Sequence, residues 1–303
     1  MSDLATRPAV PADAPTIQRL RTACARALDA GARVEPDDVA ADLARPTVDL
    51  ARDTLLVTGP AGELAGWAWV NLGRRAQVDV HPDHPDRGLG TRLLTWVEAR
   101  ARELGSQRLG QNVDDRNTIA AALLGAHGYR PRAVAWLMAI SMTAEPVVPE
   151  PPAPLTVRPF RAGDAPAAFR LIEDAFAEWQ QRPREYPEWA RLGIERDSFA
   201  PDLSPLAFDG DRLVGAVLSL DFADEHEGYV HQVAVHRDYR DRGIARALLR
   251  YAFRGFYRAG RRDCTLWTHS DTGARSLYER VGMTVRRSST HYSKALTGEP
   301  DTH

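Results

Sequence analysis

The chain is expected to be an α+β protein of two tandem domains, each a mixed, mostly antiparallel sheet flanked by helices. Three observations carry this reading. The 303 residues exceed one ordinary core and suit two. Residues 144–154 hold five prolines, which lack a donor and fix φ, so this segment reads as an extended spacer. The same features recur on either side of it in the same order. Arg7-Pro8-Ala9 with Asp13 matches Arg158-Pro159-Phe160 with Asp164. Val80-His81-Pro82-Asp83 matches Val235-His236-Arg237-Asp238. Arg87-Gly88-Leu89-Gly90 matches Arg242-Gly243-Ile244-Ala245, and Gly128-Tyr129 matches Gly282-Met283. The offsets are 151, 155, 155 and 154. Duplication explains this, and two copies make a tandem pair rather than a solenoid. The expected domains are 1–143 and 155–297, joined by 144–154 and followed by a tail, 298–303.

Each half reads in the same order. An Arg-Pro strand precedes an aspartate placed to cap a helix: Asp13 before Ala14–Leu28, Asp164 before residues 165–179. Two short strands follow around a Gly/Pro/Asp turn: residues 54–58 and 64–70, then 206–208 and 213–220. A third apolar strand, 77–80 or 229–235, runs through a tight turn into a long helix, 88–104 or 243–259. A strand near 108–111 or 264–268, a short helix ending at Gly128 or Gly282, and a closing strand, 133–141 or 285–294, complete each half.

Composition narrows the function. Hydrophobic residues make up 44%, charged residues 26%, and the net charge is −2, which points to neither nucleic acid nor a membrane as partner. No apolar run reaches the ~18 residues of a membrane span. The N-terminal residues do not read as a secretory signal. Two cysteines, Cys24 and Cys264, make neither a disulfide framework nor a metal cluster, so no metal and a cytoplasmic location are expected. Lys294 is the only lysine; the arginine excess reads as codon bias, and an arginine counts as functional only where its position gives a separate reason.

The chemistry concentrates in Val233 to Leu249, where an apolar strand meets an Arg-x-x-Gly-x-Ala turn opening an amphipathic helix. A helix N-terminus presents unpaired N–H groups and partial positive charge, which suit a pyrophosphate. Arg240, Arg242 and Arg246 stand ready to add side-chain donors. Neither a Gly-x-x-x-x-Gly-Lys-Ser/Thr loop nor Gly-x-Gly-x-x-Gly is present.

This run resembles motif A of the GNAT acetyltransferase superfamily. The resemblance implies acetyl-CoA as cosubstrate, with Val233, Ala234 and Val235 along the pantetheine arm. It places Arg240, Asp241, Arg242, Gly243, Ile244, Ala245 and Arg246 at the pyrophosphate. A second stretch, Asp271 to Met283, resembles motif B, Asn-x-x-Ala-x-x-Leu-Tyr-x-x-x-Gly-Phe. It implies cofactor contacts at Asp271 and Ala274 and puts the family's proton-donating tyrosine at Tyr278. Asp271 departs from the usual asparagine. The tandem architecture is similar to that of mycothiol synthases.

Transfer to an amine needs a base, oxyanion donors and an acid for the leaving thiolate. Tyr278 is the expected acid and the Val235 N–H the oxyanion donor, both by resemblance. Strand alternation puts His231 on the face of Val233 and Val235. His231 is thus a candidate base, a place where arylalkylamine N-acetyltransferases also carry histidine. Glu225 and Glu227 are alternatives, as is ordered water. Trp179, Tyr186 and Trp189, among Arg182, Arg184 and Glu185, are the candidate acceptor wall. In the first half the matching cofactor positions are Val78, Val80, Arg87, Gly88, Gly90 and Thr91. There Pro85 replaces a motif A donor and Leu124 the tyrosine, so that half is expected not to catalyse.

The expected activity is acetyl transfer from acetyl-CoA to a primary amine of a small molecule, by direct attack in a ternary complex, in a monomer or homodimer. Antibiotic-modifying or self-resistance and mycothiol-synthase-like acetyltransferases are open alternatives. From another class, so is a non-enzymatic acetyl-CoA sensor or scaffold, which would have no use for Tyr278.

Overall fold

The computed structural model describes residues 4–30, 32, 34, 36–84, 88–178, 183–222 and 227–296. It divides into two compact units: Met1–Ala133 with Ser289–His303, and Val134–Ser288.

In unit 1 the elements are β1 (Ala5–Arg7), α1 (Ala14–Leu28), α2 (Pro36–Leu43), α3 (Leu50–Asp53), β2 (Thr54–Thr58), β3 (Leu64–Asn71), β4 (Arg75–Val80), α4 (Leu89–Glu103), β5 (Arg108–Asp114) and α5 (Thr118–Ala126). β6 (Arg130–Ser141) begins here and continues into unit 2. Unit 2 contains β7 (Thr156–Pro159), α6 (Ala165–Phe176), α7 (Tyr186–Leu192), β8 (Pro205–Asp209), β9 (Arg212–Phe222), β10 (Glu227–Val235), α8 (Ile244–Arg258), β11 (Asp263–His269) and α9 (Arg275–Arg280). β12 (Thr284–Ala295) begins in unit 2 and ends in unit 1.

Each unit is an α+β sandwich of one sheet between helices. In unit 1 the sheet order is β1-β2-β3-β4-β5, completed by residues 289–295 of β12 antiparallel to β5. In unit 2 residues 135–141 of β6 pair antiparallel with β11, followed by β10, β9, β8 and β7. Only β4/β5 and β10/β11 run parallel among these pairs. The closing strands therefore trade places relative to the 1–143 and 155–297 division. Residues 135–141 come from the first half of the sequence and finish the sheet of unit 2. Residues 289–295, from the second half, finish that of unit 1. Chain order does not specify this, because either closing strand is a 12-residue extended segment able to fill an antiparallel edge. Residues 144–154 also fall within unit 2, where Arg258 pairs with Glu145 and Arg250 donates to the Val147 carbonyl.

Amphipathic packing builds the layers. α8 lays Leu248, Leu249, Phe253 and Phe256 against Val214, Val217 and Val230. Burying each aromatic stabilises the unit by about 1.5–3 kcal/mol. Gly228 is required on β10, because any Cβ there would run into the Phe256 ring. On the opposite face α6 and α7 bring Leu171, Ile172 and Trp189 against Leu206, Leu218 and Ala234. β9, central and covered on both faces, is buried from Leu213 to Leu220. Unit 1 repeats the plan, with α4 on one face and α1 and α2 on the other.

The paired aspartates act differently from the expectation. Neither caps α1 or α6 through its side chain. Asp13 instead receives both Nη atoms of Arg7 at 2.7 Å and the Val10 N–H. Asp164 receives Arg158 at 2.7 and 2.8 Å and the Arg161 N–H. These bidentate pairs, which hold both carboxyls below their ordinary range, tie each first strand to its helix. The helix predicted over 165–179 ends at Phe176. No helix among the described residues is long and apolar enough to cross a membrane.

Deleting residues 289–303 strips β5 of its antiparallel partner and is expected to abolish the cooperative unfolding of unit 1 in calorimetry. A truncated chain with the full-length transition would contradict the strand assignment.

Candidate functional site

The site begins where two parallel strands stop pairing. β10 and β11 are in register only at Glu227/Asp263, Gly228/Cys264 and Tyr229/Thr265. Beyond them, residues 230–235 and Leu266 to His269 line opposite sides of a pocket of about 1120 Å³. The register of β10 against β9 shifts between Val230 and Gln232, so His231 is the extra residue of a β-bulge. Bulges bend and twist a strand and end its pairing.

The backbone of β10 is aimed by its other neighbour. His236 N–H donates to the Val214 carbonyl at 2.9 Å. Peptide groups alternate along a strand, so those of Val233 and Val235 point away from β9 and into the gap toward β11. Such groups require a partner.

At the far end, Gly243 caps α8 with φ +78°, a left-handed conformation natural to glycine. Asp241, at φ +62°, shares it. The first internal bond of α8 runs from Ala247 N–H to the Gly243 carbonyl, leaving the preceding N–H groups to an anion. Arg240, Asp241, Gly243, Ile244, Ala245 and Arg246 line this end of the pocket. Arg240 is braced on the Ala175 carbonyl at 3.4 Å. Arg242 does not line it: its guanidinium donates to the Asp238 carbonyl at 2.8 Å and lies over the Tyr239 ring.

Tyr278 lies on α9 at the pocket wall, 7% exposed. Its hydroxyl makes no hydrogen bond to the described residues, and burial, with Tyr229 nearby, pushes the phenol up to about 12. It is therefore protonated across the working range of pH. Ala274 lines the pocket. Asp271 does not; it is exposed and accepts from Ser270 Oγ. Thr272, whose hydroxyl accepts from the Ala274 N–H, takes its place in the lining.

His231 is in the pocket, but on the other face from Val233 and Val235. Those valines and Val230 pack toward α8. Gln232 accepts a hydrogen bond from Trp189 Nε1 at 3.0 Å, on the α6/α7 face. A Cβ on Gly193, just after α7, would lie 3.8 Å from the His231 ring. The bulge breaks the alternation and puts both His231 and Gln232 on this face. Burial first, then Arg196 and Arg184, lower the imidazole to about 4, so the ring is neutral at physiological pH.

The expected acceptor wall is mostly elsewhere. Trp189 is 1% exposed in the core, and Tyr186, 37% exposed, packs on Phe169 and Trp189. Neither lines the pocket. Glu227 accepts from Thr265 and pairs with Arg286, which removes it as a base. Trp179, Glu225 and Arg182 lie outside the described residues. Phe176, Arg184, Tyr229, Gln232 and Trp267 line the pocket instead. The β11 residues were open to inference from the parallel strand order; Gln232 depended on the bulge.

Unit 1 repeats the strand divergence, with β4 and β5 in register only at Arg75/Gly110. Its details differ. β3 and β4 pair without a bulge from Gly66/Val80 to Asn71/Arg75. Val78 and Val80 pack on the core under α4. Gly88 caps α4 at φ −119°, not left-handed. A Cβ on Gly90 would sit 3.1 Å from Leu123, so that side chain fills the space, and Thr91 is exposed. Leu124, at the tyrosine position, is buried apolar core. Arg87 and Pro85 lie outside the described residues. No group of three or more metal-ligating side chains forms among the described residues of either unit.

Residues 21–129 and 166–283 each match the acetyltransferase (GNAT) family, and the chain belongs to that family. It is 32% identical to a mycothiol acetyltransferase of Geodermatophilus obscurus over 76% of this chain and 78% of the relative. A mycothiol acetyltransferase of Saccharopolyspora erythraea is 29% identical over 84% and 87%. A GCN5-related N-acetyltransferase from Sphaerobacter thermophilus superposes with TM-score 0.81 at 32% identity, covering 99% of this chain and 98% of that one. A tandem GNAT protein from the clavulanic acid biosynthesis pathway superposes with TM-score 0.73 at 17% identity, which shows the shared tandem fold. The chain is thus an acyltransferase of the GNAT type with two such domains.

His231 supplies a direct check on the pocket's electrostatics. Its folded-state value lies below the ordinary 6.5, so the unfolded chain takes the proton first as pH falls. The stability tied to the neutral ring is complete above about 6.5 and lost as pH falls toward 4. An NMR titration of its Cε1–H, assigned with His231→Gln, is expected to show a midpoint near 4; a midpoint at the ordinary value would contradict the buried setting.

Proposed function

We propose that unit 2 is an N-acetyltransferase that moves an acetyl group from acetyl-CoA to a primary amine of a small molecule, by direct attack in a ternary complex. The observation that carries this is the gap between β10 and β11, where the Val233 and Val235 peptide groups lack strand partners and the opening leads to the N-terminus of α8. These residues fit acetyl-CoA: the strand edge suits an amide-bearing pantetheine arm, and the Gly243 turn with Arg240 and Arg246 suits a pyrophosphate.

The roles then follow. Val235 N–H donates to the thioester oxygen as negative charge gathers there. The amine nitrogen forms its bond to the acyl carbon as the C–S bond breaks. Tyr278 gives its proton to the departing sulfur. The amine's surplus proton leaves to His231, directly or through water. A ring poised near 4 is too weak a base to deprotonate a free ammonium, so the amine enters neutral and His231 takes the proton only once bond formation has made the nitrogen acidic. Unit 1 serves a structural role, since it offers leucine where the phenol is needed. The free thiols of Cys24 and Cys264 suit a reducing cytoplasm. An acceptor of mycothiol type is the second reading, favoured by the names of the relatives.

Tyr278→Phe is expected to lower kcat in acetyl-CoA-dependent thiol release about 10²-fold while leaving acetyl-CoA binding in place. Full activity in that variant would remove the acid role. Gly243→Val forces a branched side chain into a left-handed position and is expected to weaken acetyl-CoA binding about tenfold by calorimetry; unchanged affinity would place the pyrophosphate elsewhere.

A further inference from the structure

The acceptor end of the unit 2 pocket is built of donors. At the bulge, Gln232 Oε1 accepts a hydrogen bond from Trp189 Nε1–H at 3.0 Å. Indole nitrogen only donates, so the amide orientation is settled chemically and Nε2 is the group left over. It has no partner among the described residues. Arg184 lines the same end, with Nε 2.9 Å and Nη2 2.8 Å from Glu173 Oε1. This clamp fixes the guanidinium and leaves Nη1 to a ligand. Arg196 stands on the turn after α7 whose Gly193 backs the His231 ring. It is exposed, stands outside the pocket lining, and forms no ion pair among the described residues; its charge bears on Tyr229 and His231, which do line the pocket. The only carboxylate in the described pocket lining is Asp241, in the phosphate turn at the other end.

Resting on the reading of unit 2 as the transfer site, we propose that the acceptor is a small amine carrying its own carboxylate, an amino acid or similar amino carboxylate, held by Arg184 and the Gln232 amide, with the charge of Arg196 outside the lining drawing it in. An ammonium entering alone would meet the Arg184 guanidinium, already paired with Glu173, and the Gln232 amide N–H, which are donors with no acceptor to offer it. A carboxylate on the same molecule finds these donors, one of them charge-assisted. Polycationic acceptors such as polyamines and aminoglycosides find no carboxylate at this end of the described lining. The positive setting also helps the amine lose its proton before attack.

The test compares matched acceptors with the full-length chain: L-amino acids and β-alanine against their carboxamides, with spermidine and a mycothiol-type amine alongside. The carboxylates are expected to be turned over in preference. Arg196→Ala is expected to lower the ratio of kcat/KM for carboxylate over carboxamide about tenfold. Gln232→Glu keeps an acceptor for Trp189 but replaces the donor with a charge, and is expected to lower that ratio further. Preference for the carboxamides, spermidine or the mycothiol-type amine, or a ratio unmoved by Arg196→Ala, overturns the assignment. Binding is read apart from turnover by the His231 Cε1–H resonance in the CoA-loaded protein. Carboxylate acceptors are expected to shift it and the matched carboxamides not to. No shift overturns the carboxylate assignment; a shift without turnover of any amine upholds it and overturns the transfer reading instead.

Discussion

The organisation of unit 2 depends on β10 being paired on one edge only. β9 holds one side of β10 almost throughout, while β11 releases the other after Tyr229. A strand inside a sheet normally satisfies every peptide group, and an unmet one in the interior costs about 1–3 kcal/mol. The fold leaves those groups unmet at the place where a pocket of about 1120 Å³ opens. The rest follows from keeping that gap open and useful. The His231 bulge bends β10, α8 begins at the gap's far end, and α9 brings a buried phenol to its wall. The family match and this geometry agree on one chemistry, acyl transfer.

Duplication makes the second requirement visible. Both units keep the diverging parallel pair and the arginine–aspartate clamp on the first strand. They differ where chemistry would act. Unit 2 has a bulge, a left-handed glycine and a tyrosine. Unit 1 has a continuous ladder, a right-handed glycine and a leucine. The arginine–aspartate clamp and the sheet order are common to both units, while the bulge, the left-handed glycine and the tyrosine belong to unit 2.

Much of the site was legible because its signals are local. The Gly243 turn and α8 follow within a few residues of each other in the sequence, as do Ala274 and Tyr278. What failed was set by distant partners. The face of His231 depends on which residues of β9 sit opposite, and one inserted residue reverses the alternation. The closing strands depend on edges more than a hundred residues away, so their own apolar pattern did not say which sheet they finish. Trp189 and Tyr186, the candidate acceptor wall, are residue types that more often pack a core; Trp189 does so, and Tyr186 packs on it and on Phe169, partly exposed and away from the pocket lining. Arg242 and Asp271 matched their motifs in position, yet neighbouring groups, Asp238 with Tyr239 and Ser270, turned their side chains elsewhere.

Amide hydrogen exchange at Val233 and Val235, with and without acetyl-CoA, tests the role of the open strand edge most directly. Both amides should exchange readily in the free protein, unlike Ala234, which faces β9, and acetyl-CoA should slow them by at least about tenfold. Slow exchange at both before any ligand is added, or no slowing once acetyl-CoA is bound, would mean that the edge of β10 is not where the donor lies.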